Sequence, residues 1–307
     1  MPYTDDVEMN LAIAEPPLSR RLADIKDAID EAIDRDGVAL LPPQDVKQTI
    51  SLARLLNYHF DTVMLDPWYN KGFGGMQENY QSFFLDVIAQ SGHISEHVYF
   101  WGFPEIVAPF VERIPAPLEL VCWLTWYYKN NPSVIRGWRS SQNACLHLAN
   151  PGAVLYPERF LNEKQLALME KGKLRYMPGP TSVLDESPTD VIEQALLVGF
   201  VGRKEQTGHP SQKPFKVYER LLQMTVSEGG LVLDPMCGSG TVGAVAKERG
   251  FRAVLSDGSD EYTKLAEKRL GIRRLKIGAI PIHNVSCNPP RLPQEPVPHP
   301  LHLIKLG

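Results

Sequence analysis

One segment, residues 231–243, constrains the fold most strongly and reads LVLDPMCGSGTVG. Its apolar start predicts a buried strand, its glycines predict a tight turn, and Thr241–Glu248 predicts a helix. After Gly250, the apolar run Ala253–Leu255 predicts a second strand. Strand, glycine turn, helix and strand form one half of a doubly wound unit, so we expect an α/β fold with a mostly parallel sheet.

The glycine turn predicts a binding site, because it leads into a helix whose first N–H groups lack partners. Its pattern Gly238-x-Gly240-x-x-Gly243 also fits a dinucleotide site. Asp234 at the strand tip would repel a pyrophosphate and attract the amino group of a methionine moiety, and residues 235–237 lengthen the turn. S-adenosylmethionine is therefore favoured as the ligand, with a dinucleotide and a purely structural turn as the alternatives.

Asp257 follows the next predicted strand, Ala253–Leu255. Its carboxylate is therefore expected at the carboxyl edge of the sheet, beside the same crevice, where ribose hydroxyls are its natural partners. The alternative is a helix-capping aspartate, but Ser259 or Asp260 is better placed for that role.

The second candidate site is residues 66–70, which read DPWYN and follow the buried apolar run Thr62–Leu65. The amino group of a nucleobase is a poor nucleophile because its lone pair is delocalised into the ring. Asp66 and the Pro67 carbonyl could each accept one amine hydrogen and favour the pyramidal form, while Tyr69 could stack on an extruded base. This chemistry needs no metal and no covalent nucleophile. The alternative is a turn-forming Asp-Pro pair beside core aromatic residues.

Hydrophobic periodicity predicts several further elements. Helices are expected at Leu22–Ile33 with a stop at Gly37, after Asp45, near residues 79–91 and at Pro214–Met224, and strands at His97–Trp101 and Leu118–Tyr128. The chain then divides into an N-terminal arm with an acidic helix (1–40), a catalytic half (41–150), a target-recognition segment (151–205), a cofactor-binding half (206–275) and a proline-rich tail (276–307). The recognition segment is inferred from its prolines and its clustered basic residues.

The net charge of −4 is unusual for a nucleic-acid-binding protein, which commonly carries a basic face. Residues 1–40 contain ten Asp and Glu against four Lys and Arg, so the acidic charge is concentrated there and the rest of the chain is mildly basic. The charge therefore does not exclude a nucleic-acid partner.

The cysteines, Cys122, Cys145, Cys237 and Cys287, form no C-x-x-C pair, which argues against a disulfide framework and a structural zinc site. No run approaches the roughly 18 apolar residues of a membrane span, and the N-terminus is acidic where a signal peptide is basic. We therefore expect a cytoplasmic protein with no membrane association.

Four stretches resemble the exocyclic-amino DNA methyltransferases of the permuted β group: DPWYN at 66–70, HPSQKP at 209–214, LDPMCGSGTVG at 233–243 and SDGSDEYTKLAEKRL at 256–270. The likeness is nearly continuous from His209 to Leu270 and is weak for WRSSQNACLHLAN at 138–150. In that family the catalytic motif D/S/N-P-P-Y/F/W also precedes the cofactor motif. The resemblance implies a Rossmann-like fold that uses S-adenosylmethionine to methylate a flipped base in double-stranded DNA.

The resemblance also implies roles for individual residues. The catalytic loop would be Asp66, Pro67, Trp68 and Tyr69; the methionine end of the cofactor would contact Ser211, Gln212 and Lys213, its body Asp234, Pro235, Cys237, Gly238, Gly240 and Thr241, and its ribose Asp257. In the family, Asp at the first catalytic position is more often associated with methylation of adenine N6, whereas Ser is more often associated with cytosine N4.

Trp68 departs from the family pattern, which has a second proline at this position. The change removes a rigid φ and adds bulk beside the base pocket. Methylation of adenine N6 is the leading expectation. The alternatives are cytosine N4, an RNA or protein-amide substrate, and a partner-dependent or non-catalytic DNA-binding subunit; a homodimer is also open.

Overall fold

The computed structural model describes residues 17–70, 76–131, 134–135, 137–173 and 189–277. The start of the predicted N-terminal arm (1–16), part of the predicted recognition segment (174–188) and most of the proline-rich tail (278–307) lie outside the described residues. Among the helices that are described, none has the length and apolar character needed to cross a membrane.

Helices and strands alternate along most of the described chain. The helices of the described residues are α1 (Leu18–Asp36), α2 (Val46–Leu55), α3 (Tyr80–Gly92), α4 (Pro104–Val111), α5 (Glu163–Glu170), α6 (Phe215–Thr225), α7 (Thr241–Arg249) and α8 (Asp260–Leu270), with a 3-10 helix at Pro157–Phe160. The strands are β1 (Val38–Leu40), β2 (Phe60–Leu65), β3 (Ser95–Gly102), β4 (Glu119–Tyr127), β5 (Val134–Ile135), β6 (Trp138–Arg139), β7 (Gln142–Ala149), β8 (Val191–Glu193), β9 (Leu231–Asp234) and β10 (Arg252–Leu255).

Eight of these strands form one sheet in the order β1-β10-β9-β2-β3-β7-β4-β8, and β5 pairs with β6 in a separate hairpin. The strands from β1 to β3 in this order are parallel. Strand β7 runs antiparallel to both β3 and β4, and β8 is parallel to β4. The predicted α/β fold with a mostly parallel sheet is confirmed.

Helices cover both faces of the sheet, because successive side chains of its buried strands point to opposite faces. Val63 and Leu65 of β2 belong to a core formed with α1 to α4. Met64, between them, belongs to a second core formed with α6 to α8. The continuous apolar run before the DPWYN loop is therefore a strand that is buried on both sides.

The direction in which successive strands are added to the sheet reverses between β9 and β2. From β9 the chain passes through α7 to β10 on one side, and from β2 it passes through α3 to β3 on the other. The two strands are parallel neighbours, with Val63 opposite Leu233. The crevice beyond their carboxyl ends is the switch point of the sheet, which is the usual ligand site of open α/β folds.

Local signals explain the helix ends near the N-terminus. In α1, Ile25, Ile29 and Ile33 lie on one buried face, and Gly37 ends the helix with a φ of 74°. The N–H of Gly37 donates to the Ile33 carbonyl at 2.7 Å. Helix α2 begins after Asp45, whose side chain forms a capping box with residue 48.

Three strands of the sheet, β1, β7 and β8, were not predicted from the sequence, and β8 is another strand of three residues at the edge of the sheet. Strand β1 has only three residues, too few to show a period, and it pairs with β10 although it lies within the predicted N-terminal unit of residues 1–40. Strand β7 falls in the weakly matching stretch 138–150 and fills the sheet between β3 and β4. Strand β1 extends the sheet on the β9 side of the switch point, and β7 and β8 extend it on the β2 side.

Candidate active site

Three aspartates lie at the carboxyl edge of the sheet. Asp66 follows the last residue of β2, Asp234 is the last residue of β9, and Asp257 comes two residues after β10. Because β10, β9 and β2 are parallel neighbours, their ends lie side by side at the switch point. The DPWYN loop and the glycine turn therefore adjoin the same crevice.

The Asp66 carboxylate accepts hydrogen bonds from three side chains. Lys213 Nζ lies 2.7 Å from Oδ1 and 2.6 Å from Oδ2. The Tyr69 hydroxyl donates to Oδ1 at 3.1 Å, and the Tyr218 hydroxyl donates to Oδ2 at 2.9 Å. The Asp66 side chain is only 15% exposed, so these donors replace the water that its charge loses.

The polar end of Tyr69 is turned toward this carboxylate. Its hydroxyl accepts from Lys213 Nζ at 2.6 Å and from Asn143 Nδ2 at 3.2 Å, and its ring packs edge-on against Phe103 with centroids 4.8 Å apart. Burial raises the pKa of Tyr69, and the charge of Asp66 raises it further. The hydroxyl therefore stays protonated and donates a hydrogen bond to Asp66.

Lys213 immediately precedes the Pro214 cap of α6 and has a side chain that is 3% exposed. Its ammonium lies 5.1 Å from the centroid of the Tyr69 ring and 5.3 Å from that of Trp101, within cation–π range. A buried ammonium needs acceptors, which Asp66 and Tyr69 supply. The ammonium is thus bound at the Asp66 carboxylate, and the role of Lys213 at the methionine end of a cofactor stays a prediction.

Trp68 is the exposed member of the loop. It is 40% exposed, whereas Pro67 before it is buried. Its indole meets Tyr80 and Phe84 of α3 edge-on, with centroid distances of 5.7 and 5.9 Å. The Tyr80 hydroxyl donates to the Trp68 carbonyl at 3.0 Å. Helix α3 therefore fixes the loop at the position where the family pattern has its second proline.

The glycine turn needs its glycines for conformation and for space. Gly238 and Gly240 have φ values of 49° and 74°, which other residues adopt only at a cost. A Cβ on Gly238 would lie 2.9 Å from Nε2 of His209. Asp257 braces the turn, since its Oδ2 accepts from the Gly238 N–H at 2.9 Å and its Oδ1 from the Ser259 N–H at 2.8 Å. The missing Cβ at Gly238 therefore lets the His209 imidazole pack against the turn.

Asp234 is buried at the tip of β9, with 2% exposure, and its Oδ1 accepts from the Met236 N–H at 3.2 Å. Burial raises the pKa of Asp234, and the charges of Asp66 and Asp257 raise it further. A cation bound beside this carboxylate would favour its ionised form. The residue therefore fits the amino group of a methionine moiety better than it fits a pyrophosphate.

The segment that carries Ser211, Gln212 and Lys213 is held against the start of α7. Gln212 is buried, and its Oε1 accepts from the Thr207 N–H at 2.9 Å, while Ser211 is exposed. The Thr241 hydroxyl donates to the Lys213 carbonyl at 3.2 Å. This bond joins the segment 209–214 to the cofactor turn.

The turn residues Pro235 and Cys237 are tied to the neighbouring strand. The Cys237 N–H donates to the Ser256 carbonyl at 2.9 Å, and the Ser256 hydroxyl donates to the Pro235 carbonyl at 3.4 Å. Cys237 is buried, and burial raises the pKa of its thiol. The contacts with Ser256 hold the backbone of the turn against the neighbouring strand. Because its pKa is raised, the thiol stays protonated and is not suited to act as a nucleophile.

Four residues of the site were not predicted: Tyr218, Asn143, His209 and Arg269. The Arg269 guanidinium donates to the Thr241 hydroxyl at 2.8 Å. The contact between Tyr218 and Asp66 joins residues 152 positions apart. His209 and Arg269 lie in the motifs HPSQKP and SDGSDEYTKLAEKRL, which indicate a site without giving these two residues a role. Tyr218 and Asn143 contact neighbours that only the fold brings close.

Comparison with known proteins decides the family. Residues 60–268 match the family model described as DNA methylase, a range that covers more than half of the chain. The chain belongs to the N6/N4 DNA methylase family. The predicted family and its cofactor, S-adenosylmethionine, are thereby confirmed.

Relatives of this methylase include enzymes that match most of its length. It is 29% identical over 233 residues to the Type II methyltransferase M.HpaI of Haemophilus parainfluenzae, a match that covers 72% of the chain and 71% of the relative. It is 33% identical over 274 residues to the Type II methyltransferase M.ScaI of Streptomyces caespitosus, with 82% and 88% covered. Its fold is similar to that in the crystal structure of the M1.HpyAVI-SAM complex, with a TM-score of 0.55, 18% identity, and 76% of the chain and 100% of the relative covered.

Proposed function

We propose that this methylase transfers a methyl group from S-adenosylmethionine to the N6 amine of adenine in double-stranded DNA. The observation that carries the proposal is the position of Asp66 beside Asp234, at the ends of the adjacent parallel strands β2 and β9. In this assignment one carboxylate receives the target amine and the other the charged end of the cofactor, within one crevice. Aspartate as the first residue of the catalytic loop favours adenine.

Asp66 is suited to the central step. Its carboxylate accepts one hydrogen of the target amine and the Pro67 carbonyl accepts the other, so the nitrogen lone pair is directed out of the base plane. Most of the rate gain comes from holding this nitrogen in line for attack. Once the nitrogen–carbon bond has formed, the nitrogen releases one proton, which the Asp66 carboxylate accepts or passes to water.

S-adenosylmethionine supplies the methyl group when it is bound, as its sulfur–methyl bond breaks. Asp234 binds the amino group of the methionine moiety, and Asp257 binds the ribose hydroxyls. Between these two carboxylates, the backbone at Gly238 and Gly240 permits the cofactor to approach closely. Residues 211–213 close the site on the side of Asp66.

A base in duplex DNA must leave the helix before it can reach this crevice. Tyr69 stacks on the extruded base, and the exposed Trp68 narrows the pocket beside it. The two relatives named as Type II methyltransferases support the same class for this chain. The recognition of a DNA sequence is then assigned to residues 151–205.

Mass spectrometry of nucleosides tests the proposal. The purified full chain is incubated with unmethylated duplex DNA and methyl-labelled cofactor, and the DNA is digested to nucleosides. Labelled N6-methyladenine is the expected product. Asp66→Ala is expected to give no product while it still binds the cofactor, and Asp86→Ala, at an aspartate on α3 paired with Lys47, serves as the matched control.

Each other outcome has a definite meaning. A label on cytosine alone contradicts the adenine assignment and supports cytosine N4. If DNA is labelled only when a partner protein is added to the purified chain, the proposal is wrong and the chain is a partner-dependent subunit. Full activity of Asp66→Ala shows that Asp66 is not the catalytic carboxylate.

A further inference from the structure

The Tyr218 side chain reaches the Asp66 carboxylate from the layer of helices α6 to α8. Tyr218 lies in α6, is 3% exposed, and packs near Trp101 with ring centroids 6.1 Å apart. Its hydroxyl donates to Asp66 Oδ2 at 2.9 Å, the only hydrogen bond recorded for this hydroxyl among the described residues. Burial and the Asp66 charge raise the pKa of Tyr218, so the hydroxyl keeps the proton that it donates.

The four hydrogen bonds to Asp66 fill the carboxylate. Oδ1 accepts from Lys213 and Tyr69, and Oδ2 accepts from Lys213 and Tyr218. A carboxylate offers about four lone-pair positions in all. A target amine can therefore donate to Asp66 only when one of the present donors gives up its place.

The three donors differ in how easily they can move. Lys213 makes two of the four bonds through a compact ammonium on a flexible four-carbon stem, so it can give up one oxygen and keep the other. The Tyr69 hydroxyl is also bound to Asn143. The Tyr218 hydroxyl is carried by a rigid ring inside a packed core. Lys213 is thus the donor that yields, while the tyrosines keep the carboxylate plane in place.

We propose that Tyr218 is a positioning residue for methyl transfer, which holds Asp66 in the orientation that accepts the target amine. This inference rests on the proposed function, in which Asp66 is the catalytic carboxylate. Tyr218 itself touches neither the base nor the cofactor in this assignment. Its hydroxyl acts only through Asp66.

Tyr218→Phe tests the role, because it removes the hydroxyl and keeps the ring that packs in the core. Single-turnover methylation with saturating DNA and cofactor is expected to slow about tenfold, which corresponds to about 1.4 kcal/mol. The Kd for S-adenosylmethionine is expected to stay unchanged, since the hydroxyl is bound to Asp66 and to no predicted cofactor residue. If Tyr218 only stabilised the fold, the substitution would lower the thermal stability, and it would not slow methyl transfer while leaving the Kd for the cofactor unchanged.

Tyr58→Phe is the matched control. The Tyr58 hydroxyl also donates to a carboxylate, Asp30 Oδ1 at 2.5 Å, but this pair joins the segment after α2 to α1. The Tyr58→Phe variant is expected to keep the wild-type rate. Thermal unfolding of both variants shows whether they are folded alike.

A double variant isolates the contact with Asp66. Tyr218→Phe on an Asp66→Glu background is expected to slow the reaction less than it does in the wild type, because the moved carboxylate no longer meets the hydroxyl.

The outcomes separate this inference from the proposed function. An active wild-type enzyme with an unchanged or faster Tyr218→Phe variant overturns the role of Tyr218 alone. An equal loss in Tyr58→Phe, or a loss explained by weaker cofactor binding, also overturns it. A wild-type chain that transfers no methyl group to DNA contradicts the proposed function and the positioning role together.

Discussion

Replacement of Lys213 by methionine is expected to destabilise the fold strongly, because it leaves the Asp66 carboxylate without its counter-ion. Lys213 is 3% exposed and donates to both carboxylate oxygens, at 2.7 and 2.6 Å. Removing one partner of a buried pair costs about 3 to 5 kcal/mol, and the tyrosine donors that remain on Asp66 favour the lower end. At about 2 to 4 °C per kcal/mol for a domain of this size, the Tm falls by roughly 6 to 12 °C.

Calorimetry of the ligand-free protein at neutral pH measures this change. Lys26→Met is the control, because the Lys26–Asp30 pair is an i,i+4 contact with both side chains well exposed, and its loss should shift the Tm little. On an Asp66→Asn background the cost of Lys213→Met should shrink, since a neutral amide needs no counter-ion. A Lys213→Met variant as stable as the wild type, or an equal cost on both backgrounds, would refute the ion-pair reasoning.

Two further predictions concern cofactor binding, measured by isothermal titration calorimetry. Asp257→Ala should weaken S-adenosylmethionine binding by about tenfold or more, because a hydrogen bond to a charged group contributes roughly 1.5 to 3 kcal/mol; unchanged affinity would show that the ribose assignment is wrong. Because burial raises the pKa of Asp234 well above the usual range of an aspartate, a cofactor that binds the ionised form must displace a proton at low pH. The affinity should therefore rise with pH in the acidic range and level off once Asp234 is ionised in the free protein, and Asp234→Asn should abolish that rise. An identical rise in the variant would assign the pH dependence to another group.

The sequence predicts the centre of the fold well, because the signals there are local. Residues 231–243 combine an apolar strand, a turn that needs glycine and a helix start, and the structure has these elements at β9, the turn and α7. The ends of parallel strands meet at one edge of a sheet, so Asp66, Asp234 and Asp257 could be expected near each other once their strands were recognised. Neighbouring strands then bring together residues that lie far apart in sequence.

The contacts around Asp66 could not be predicted in the same way. Lys213 was assigned to the cofactor from its place in the motif HPSQKP, and the structure adds a bond to Asp66 that spans 147 residues. Tyr218 looks like an ordinary apolar position of an amphipathic helix, and only the packing of α6 on β2 shows where its hydroxyl lies. Strand β1 was missed for a related reason, since three residues carry no period and their pairing with β10 is non-local.

Trp68 shows how a change that looks disruptive in sequence can be accommodated in the fold. Proline at this position would restrict φ by its own ring. In this chain, the Tyr80 hydroxyl holds the Trp68 carbonyl, and the indole packs edge-on against Tyr80 and Phe84. The loop is thus restrained by contacts with α3 in place of a covalent ring, and Asp66 keeps its hydrogen bond from Tyr69. The restraint is therefore tertiary, so the geometry of the loop depends on the packing of α3. Under the proposed function, the part of the indole that stays exposed would shape the pocket for the base.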